Sequence, residues 1–301
     1  MKVFYNLVEN KNCAIALGFF DGVHLAHQKL IKKTVKIAKE NGIKSVLLTF
    51  QKSPYSILHN QKGVYLTKIE DKIKLIENLG IDNIYFLDFK QFMHMDADEY
   101  IKDVLIKYFM PKYVVTGFNH TFGHDRKGDG KLLSSYPNLF KYAEIPPVSV
   151  DNVLVSSTNI KNAIKEGEFS LADKMLNRNF SIKGYVIEGQ KIARSLGYKT
   201  ANIIWDNDII KPLYGVYAGL AEYMGITYQA MINFGIRPSI DKFRRETLEV
   251  HLMGFDGDLY GKEIKVEFTS RIRNEIRFSS GDELKKQINE DYISVQNFPI
   301  T

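Results

Sequence analysis

Apolar positions in the first half of the chain follow two alternating rhythms. Runs at 14–19, 45–50, 84–87 and 113–116 are apolar nearly throughout, as strands buried on both faces are. Between them, 26–41, 68–79 and 97–109 place apolar residues three and four apart, the period of a helix with one buried face. Strands and helices alternating at this spacing predict a parallel sheet with helices on both faces. Ligands of such a sheet bind beyond the carboxyl ends of its strands.

The rhythm changes near residue 180. Segments 181–187, 217–222, 228–233, 247–253 and 264–269 read as strands separated by Gly, Asp or Pro turns, which predicts an antiparallel barrel or sandwich. A last helix fits 281–292, with Asp282 near its start and Leu284, Ile288 and Ile293 on one side. The expected organisation is α/β plus β: an N-terminal domain over 1–180 and a C-terminal one over 181–301. No internal repeat is evident.

Composition narrows the class. A chain of 301 residues with 45% hydrophobic and 12% aromatic content fills a substantial core and favours two domains. The first twenty residues carry Glu9 and Lys11 before a short apolar run, unlike a signal peptide, and no run approaches membrane-spanning length. The single cysteine, Cys13, excludes an intramolecular disulfide and any multi-cysteine metal site, which points to a reducing cytoplasm. The net charge of +6 is spread along the chain without a basic block, so no nucleic-acid partner is expected. Basic clefts that attract phosphorylated small molecules fit the same charge.

The most informative stretch is Gly18-Phe19-Phe20-Asp21-Gly22-Val23-His24-Leu25-Ala26-His27, where the first strand hands over to the first helix. Glycines let a backbone approach phosphate closely, and a helix start supplies positive potential. Two histidines three apart there can both donate to phosphate oxygens. Taken alone, the pair reads as a cap of the first helical turn. The segment resembles the G-x-F-D-G-x-H-x-G-H signature of the bacterial bifunctional riboflavin kinase/FMN adenylyltransferases, the prokaryotic FAD synthetases, with Ala26 in place of a glycine.

The resemblance extends over essentially the whole chain. Thr49-Phe50-Gln51-Lys52-Ser53-Pro54 occupies the place of T-F-x-P-H-P, lacking its first proline and its histidine. The run from Gly117 through Asn119, Phe122 and Gly123 to Asp129 is similar to G-x-D-F-x-F-G-x-x-R-x-G-D, with Asn119 where aspartate is usual; a surface Gly-rich turn explains the same letters. Ser156-Ser157-Thr158-Asn159-Ile160-Lys161 is similar to S-S-T-x-I-R; helix-capping serines explain its first letters equally well. Lys161 keeps the arginine's charge but not its planar fork. The resemblance implies a Rossmann-like nucleotidyltransferase domain. It places ATP against Gly18, Phe19, Asp21, Gly22, Ser156, Ser157, Thr158 and Lys161, and the flavin near Phe50, Asn119 and Phe122. His24 and His27 then stabilise the charge of adenylyl transfer.

In the second half, Gly184 to Gly189 followed by Ala193-Arg194-Ser195-Leu196-Gly197-Tyr198-Lys199-Thr200-Ala201-Asn202 resembles the riboflavin kinase run G-x-V-x-x-G and G-R-x-L-G-F-P-T-A-N. Ala193 and Lys199 depart from it. The resemblance implies a riboflavin-kinase-like barrel in which Gly189, Arg194 and Gly197 contact ATP. Thr200 and Asn202 then hold Mg2+ through hard, neutral oxygens. Asn233 to Ser239 resembles N-x-G-x-R-P-T, and the strand over 246–256 puts Glu249 on the family's general base. An exposed strand carboxylate is the plainer reading of Glu249. Asp258 to Lys262 and the segment from Arg271 to Phe278 fit D-L-Y-G-x and R-x-x-x-x-F; a hairpin turn and a solvated basic face explain the same letters. By the resemblance, Arg237 and Arg273 lie near the flavin.

The expected function is FAD biosynthesis from riboflavin, with ATP, riboflavin and FMN as small-molecule substrates. Because Ala26, Ser53, Lys161, Ala193 and Lys199 depart from the family motifs, two alternatives stay open. Only one of the two activities is retained, or the chain is a non-catalytic flavin- or nucleotide-binding regulator. Oligomeric state is not legible in the sequence.

Overall fold

The computed structural model describes residues 1–188, 198–237 and 245–299. The chain divides into two compact units, Met1–Ser157 and Thr158–Thr301.

The first unit is built on six strands: β1 (Lys2–Phe4), β2 (Cys13–Leu17), β3 (Lys44–Phe50), β4 (Asn83–Leu87), β5 (Tyr113–Gly117) and β6 (Lys141–Ile145). Their spatial order is β1-β4-β3-β2-β5-β6, and every neighbouring pair is parallel. β2 is buried at all five positions, as expected of a central strand covered on both faces. One face packs Ile15, Leu17, Val46 and Leu48 against Ile101, Leu105 and Phe109; the other packs Ala14, Ala16, Leu47 and Phe86 against Leu30, Ile31, Val35 and Ile76.

The helices are α1 (Leu25–Glu40), α2 (Pro54–Leu58), α3 (Ile69–Asn78), α4 (Ala97–Glu99) and α5 (Gly130–Ser134). α1 buries Leu30, Ile31, Thr34, Val35, Ile37 and Ala38, the single stripe its sequence period requires. α4 opens with an Asp96/Glu99 capping box and runs on as a wider π-type helix over Tyr100–Phe109, so the expected helix over 97–109 has two geometries. A two-stranded ribbon, β7 (Ser149–Val150) with β8 (Val153–Leu154), follows β6.

From β2 the chain steps to β3 and β4 on one side, then crosses to β5 on the other. β2 and β5 therefore flank the switch point of the sheet. The segments that follow Leu17, Phe50 and Gly117 all leave the carboxyl ends of the adjoining strands β3, β2 and β5.

Helix α6 (Ser157–Glu166) leads into the second unit, where α7 (Phe169–Leu176) precedes six strands. These are β9 (Phe180–Ile187), β10 (Ala201–Ile203), β11 (Gly215–Tyr223), β12 (Ile226–Arg237), β13 (Arg245–Leu252) and β14 (Glu263–Asn274), closed in the order β10-β13-β12-β11-β14-β9. All six pairings are antiparallel. From Phe180 to Val186 the even-numbered positions of β9 are buried, which sends Phe180, Ile182 and Val186 inward. Phe169 of α7 stacks on Phe268 with ring centroids 5.2 Å apart and meets Tyr217 edge-on at 5.5 Å, so α7 packs as part of the barrel core. The last helix, α8 (Gly281–Gln296), is capped by the Ser280 hydroxyl, which accepts from the Glu283 amide at 3.2 Å.

Candidate functional site

The turn between β2 and α1 is held from four directions. The Thr49 hydroxyl of β3 donates to the Phe19 carbonyl at 2.9 Å, and the Lys72 ammonium of α3 donates to the same oxygen at 2.5 Å. Asp21 Oδ1 accepts the Leu66 amide at 2.8 Å, and the Ser157 hydroxyl donates to the Asp21 carbonyl at 3.0 Å. Inside these anchors Phe20, Gly22 and Val23 have φ of 57°, 79° and 42°. Left-handed backbone is costly for Phe and Val and persists where surroundings over-determine it. A Cβ on Gly22 would lie 2.6 Å from Leu66 Cδ1, so a larger residue there displaces the Leu66 side chain and strains the backbone at φ 79°.

The turn delivers His24 to the start of α1, where its Nδ1 accepts the His27 amide at 3.3 Å. With Nδ1 occupied as acceptor, the neutral ring carries its proton on Nε2. The two imidazoles stack face to face, with centroids 3.5 Å apart and planes 14° from parallel. His24 thus caps the helix, as the plainer reading of the pair has it, and its ring lies against that of His27. Burial holds the His27 imidazole well below its ordinary range, and the nearby charges of His24 and Lys72 lower it further. His27 Nδ1 is buried without a hydrogen-bond partner.

Lys72 was not singled out by sequence. It is 5% exposed, and burial brings its ammonium down to about 8 while the Asp21 carboxylate pulls the other way. The available signal was periodicity: Lys72 shares the buried stripe of α3 with Ile76, a place where an apolar residue is expected.

The other expected residues of this unit are more dispersed. Gly18 sits at the end of β2, where a Cβ would come 3.1 Å from the Phe20 ring. Phe50, at the end of β3, meets Phe89 edge-on at 5.2 Å. Asn119 is exposed on the segment after β5, whereas Phe122 packs against the core beside Tyr100 at 5.5 Å. Asp129 caps α5 by accepting the Leu132 amide at 2.9 Å. Ser156 precedes α6 and Ser157 begins it; Thr158 and Lys161 lie further along that helix, in the second unit.

In the barrel, Glu249 of β13 lies directly opposite Asn202 of β10 on one side and Asn233 of β12 on the other. Residues paired in this way share one face. The row continues through Val216 to Arg273. Leu248 and Val250, one step either way, are fully buried on the opposite, inner face. The row therefore belongs to the outer face, on which α8 packs Val295 against Val216, Ala218 and Met231. Glu249 is only 9% exposed, so it is not the solvent-facing carboxylate of the plainer reading. Arg273 spends its fork on Asp291 of α8, with Nε at 2.8 Å from Oδ1 and Nη2 at 2.6 Å from Oδ2.

A cavity of about 290 Å³ opens beside this row, its walls including Lys199, Thr200, Asn202, Asp258, Leu259 and Tyr260. Glu249 is not part of its wall. Lys199, which stands where the family has proline, pairs with Asp256 at 2.5 Å, and its carbonyl accepts from His251 Nδ1 at 2.8 Å. Gly189, Arg194 and Gly197 lie outside the described residues, as does Ala193; of Arg237 only the backbone is described.

Among the described residues no group of three or more His, Cys, Asp or Glu side chains could hold a metal. Among the polar residues of the cavity wall, Thr200 and Asn202 carry neutral oxygens and Asp258 a carboxylate. Two hard neutral donors suit a magnesium ion that keeps waters and phosphate oxygens in its shell.

Residues 7–159 match the family model described as FAD synthetase, and residues 176–298 the one described as riboflavin kinase. The bifunctional riboflavin kinase/FMN adenylyltransferase of Buchnera aphidicola subsp. Schizaphis graminum is 40% identical over 297 residues, 96% of this chain and 95% of that protein. The Bacillus subtilis protein of the same description is 35% identical over 289 residues, covering 94% of this chain and 91% of its own length. A crystal structure from Streptococcus pneumoniae, described as a macrolide-efflux protein, has a TM-score of 0.90 at 28% identity and covers 99% of this chain and 100% of its own. That name is carried by the neighbour alone, and among the described residues here no helix is long and apolar enough to cross a membrane. With identities of 40% and 35% maintained over nearly the full length and both family models matched in order, the chain belongs to the bifunctional riboflavin kinase/FMN adenylyltransferase family.

Proposed function

We propose that this protein makes FAD from riboflavin in two ATP-dependent steps, with the adenylyltransferase domain over 1–180 and the kinase domain over 181–301. The observation that carries this reading is that each unit keeps its chemistry-bearing pair. His24 and His27 stack at the carboxyl edge of the parallel sheet, and Glu249 is buried opposite Asn202 on the barrel.

In the kinase step Glu249 takes the proton of the ribityl 5′-hydroxyl as that oxygen attacks the γ-phosphorus of ATP; the bond to the β-phosphate oxygen breaks and ADP leaves. Thr200 and Asn202 would hold Mg2+, which when bound neutralises charge on the phosphoryl oxygens. By the family motifs, Gly189, Arg194 and Gly197 are assigned to ATP and Arg237 to the flavin. Arg273 enters the flavin site indirectly, by anchoring α8 through Asp291.

In the adenylyl step a phosphate oxygen of FMN attacks the α-phosphorus of ATP and pyrophosphate leaves with the bonding pair. No covalent enzyme intermediate is needed, so the work of the protein is positioning and charge neutralisation. His24 and His27 donate to the triphosphate, the backbone of Gly18, Phe19, Asp21 and Gly22 approaches it, and Ser156, Ser157, Thr158 and Lys161 add further ATP contacts. Phe50, Asn119 and Phe122 border the flavin. The partners are small molecules in the cytoplasm, without nucleic acid.

The test is to incubate the protein with Mg-ATP and either riboflavin or FMN and to separate the flavins by chromatography. Appearance of FMN from riboflavin and FAD from FMN supports the reading; one product alone means a single surviving activity. Flavin binding with neither product overturns it.

A further inference from the structure

Lys72 has no part in the chemistry described so far. It is nonetheless a lysine buried inside the first unit, 2.5 Å from the carbonyl of Phe19 and 4.4 Å from the centre of the Phe19 ring. The Phe86 ring lies 5.7 Å from the same ammonium. Desolvating an ammonium is expensive, and a carbonyl, two ring faces and the charge of Asp21 offset only part of that. A methionine of similar length would fill this place with less cost to the fold. Retention of a cation against stability points to a functional role.

The place is specific. Phe19 stands at the entrance of the strained turn whose φ values at Phe20, Gly22 and Val23 are positive, and His24 follows at once. Thr49 and Lys72 together satisfy the Phe19 carbonyl, at 2.9 Å and 2.5 Å. Thr49 comes from β3 and Lys72 from α3, so their shared acceptor ties the turn both to the sheet and to a helix. Loss of the ammonium leaves this carbonyl to Thr49 alone and lets the turn relax toward unstrained dihedrals. Lys72 also places a positive charge near His27, one of the causes that keep that imidazole neutral.

We propose that Lys72 is a positioning residue of adenylyl transfer: its buried ammonium fixes the Phe19 carbonyl and so holds the turn that presents His24 and His27 to the triphosphate. This rests on the reading of the first unit as the adenylyltransferase. Lys72 acts on the same substrates from behind the turn, through the Phe19 carbonyl.

The experiment compares Lys72→Met and Lys72→Arg in the full chain with the wild type and His27→Ala. It measures kcat and KM for FAD formation, riboflavin phosphorylation in the same samples, and Tm. Lys72→Met is expected to lower kcat for FAD formation about 100-fold, the scale of a misplaced reacting group, with riboflavin phosphorylation unchanged and Tm equal or higher. Lys72→Arg, which keeps the charge, is expected to recover at least about tenfold of that loss. FAD formation by Lys72→Met within about threefold of the wild type overturns the proposal, as does a loss accompanied by a fall in Tm, which marks a purely structural lysine. If His27→Ala itself leaves FAD formation unchanged, the underlying site assignment fails. A damaged His27→Ala beside a normal Lys72→Met removes the Lys72 proposal alone.

Discussion

His24 and His27 face one another as a stacked pair, centroids 3.5 Å apart, and the backbone amide of His27 is the donor that orients the ring of His24. One hydrogen bond thus sets both the helix start and the tautomer. His24→Ala and His27→Ala are each expected to lower FAD formation by about 10²–10³-fold, the scale of losing one preorganised donor. His24→Ala should in addition cost about 1 kcal/mol of stability for the lost cap. Steady-state kinetics and denaturant unfolding of the two variants check this. Riboflavin phosphorylation should not change in either.

The pH dependence of Lys72 separates its cost from its use. Its ammonium titrates at about 8 when folded against 10.5 for an ordinary lysine, so between these values the unfolded chain binds the extra proton. Unfolding free energy therefore rises with pH through that window, by roughly 3 kcal/mol, and is flat below about pH 8 as far as this group is concerned. Comparing wild type with Lys72→Met by urea unfolding from pH 7 to 10.5 isolates the slope. The variant should lack it.

Asp173 has the opposite sign. Burial raises its carboxyl from 3.8 to about 7, although it accepts the Phe180 amide at 2.6 Å. Between about pH 4 and 7 the folded chain holds a proton that the unfolded chain has released. Stability from this group is present below pH 4 and lost as pH rises through 7. Asp173→Asn, whose amide oxygen can still accept from Phe180, should be more stable than the wild type at pH 8 by roughly 2 kcal/mol after allowance for partial exposure, and no more stable at pH 4.

Arg273 and Asp291 form a bidentate pair with Asp291 almost fully buried, and Gln287 adds a donor to the same carboxylate at 3.1 Å. Removing one partner strands the other. Arg273→Ala is expected to cost about 3 kcal/mol and to loosen α8 from the barrel. Asp291→Asn should be milder, because its amide oxygen can still accept. Unfolding of both, with hydrogen exchange over 281–296, checks the assignment.

The parallel sheet was legible because its strands are apolar throughout and its helices keep a strict buried stripe, as Ala14 to Leu17 and Leu30 to Ala38 show. The short strands β1 and β10 escaped the periodicity reading, since three residues carry too little pattern to stand out, and β6 escaped because Lys141 and Glu144 break its apolar run. The start of α6 was legible in the capping serines at 156 and 157, but α7 was missed: Phe169, Ala172, Met175 and Leu176 make a buried stripe that is short and lies next to the change of rhythm at 180. At the sites, sequence motifs pointed to His24, Asn202 and Glu249, but not to what surrounds them. That Glu249 stands between two asparagines follows from strand register, which motif spacing does not encode. Lys72 was invisible to motifs because its role comes from burial, and the Arg273–Asp291 fork because its partners lie on different elements.

The central claim, two chemistries on two separate groups of residues, is tested most directly by following flavins chromatographically for wild type, His27→Ala and Glu249→Gln with Mg-ATP. The wild type should carry riboflavin through FMN to FAD. His27→Ala should stop at FMN, and Glu249→Gln should convert added FMN to FAD while failing to phosphorylate riboflavin. Loss of both steps in either variant, or of neither step in both, would contradict the account.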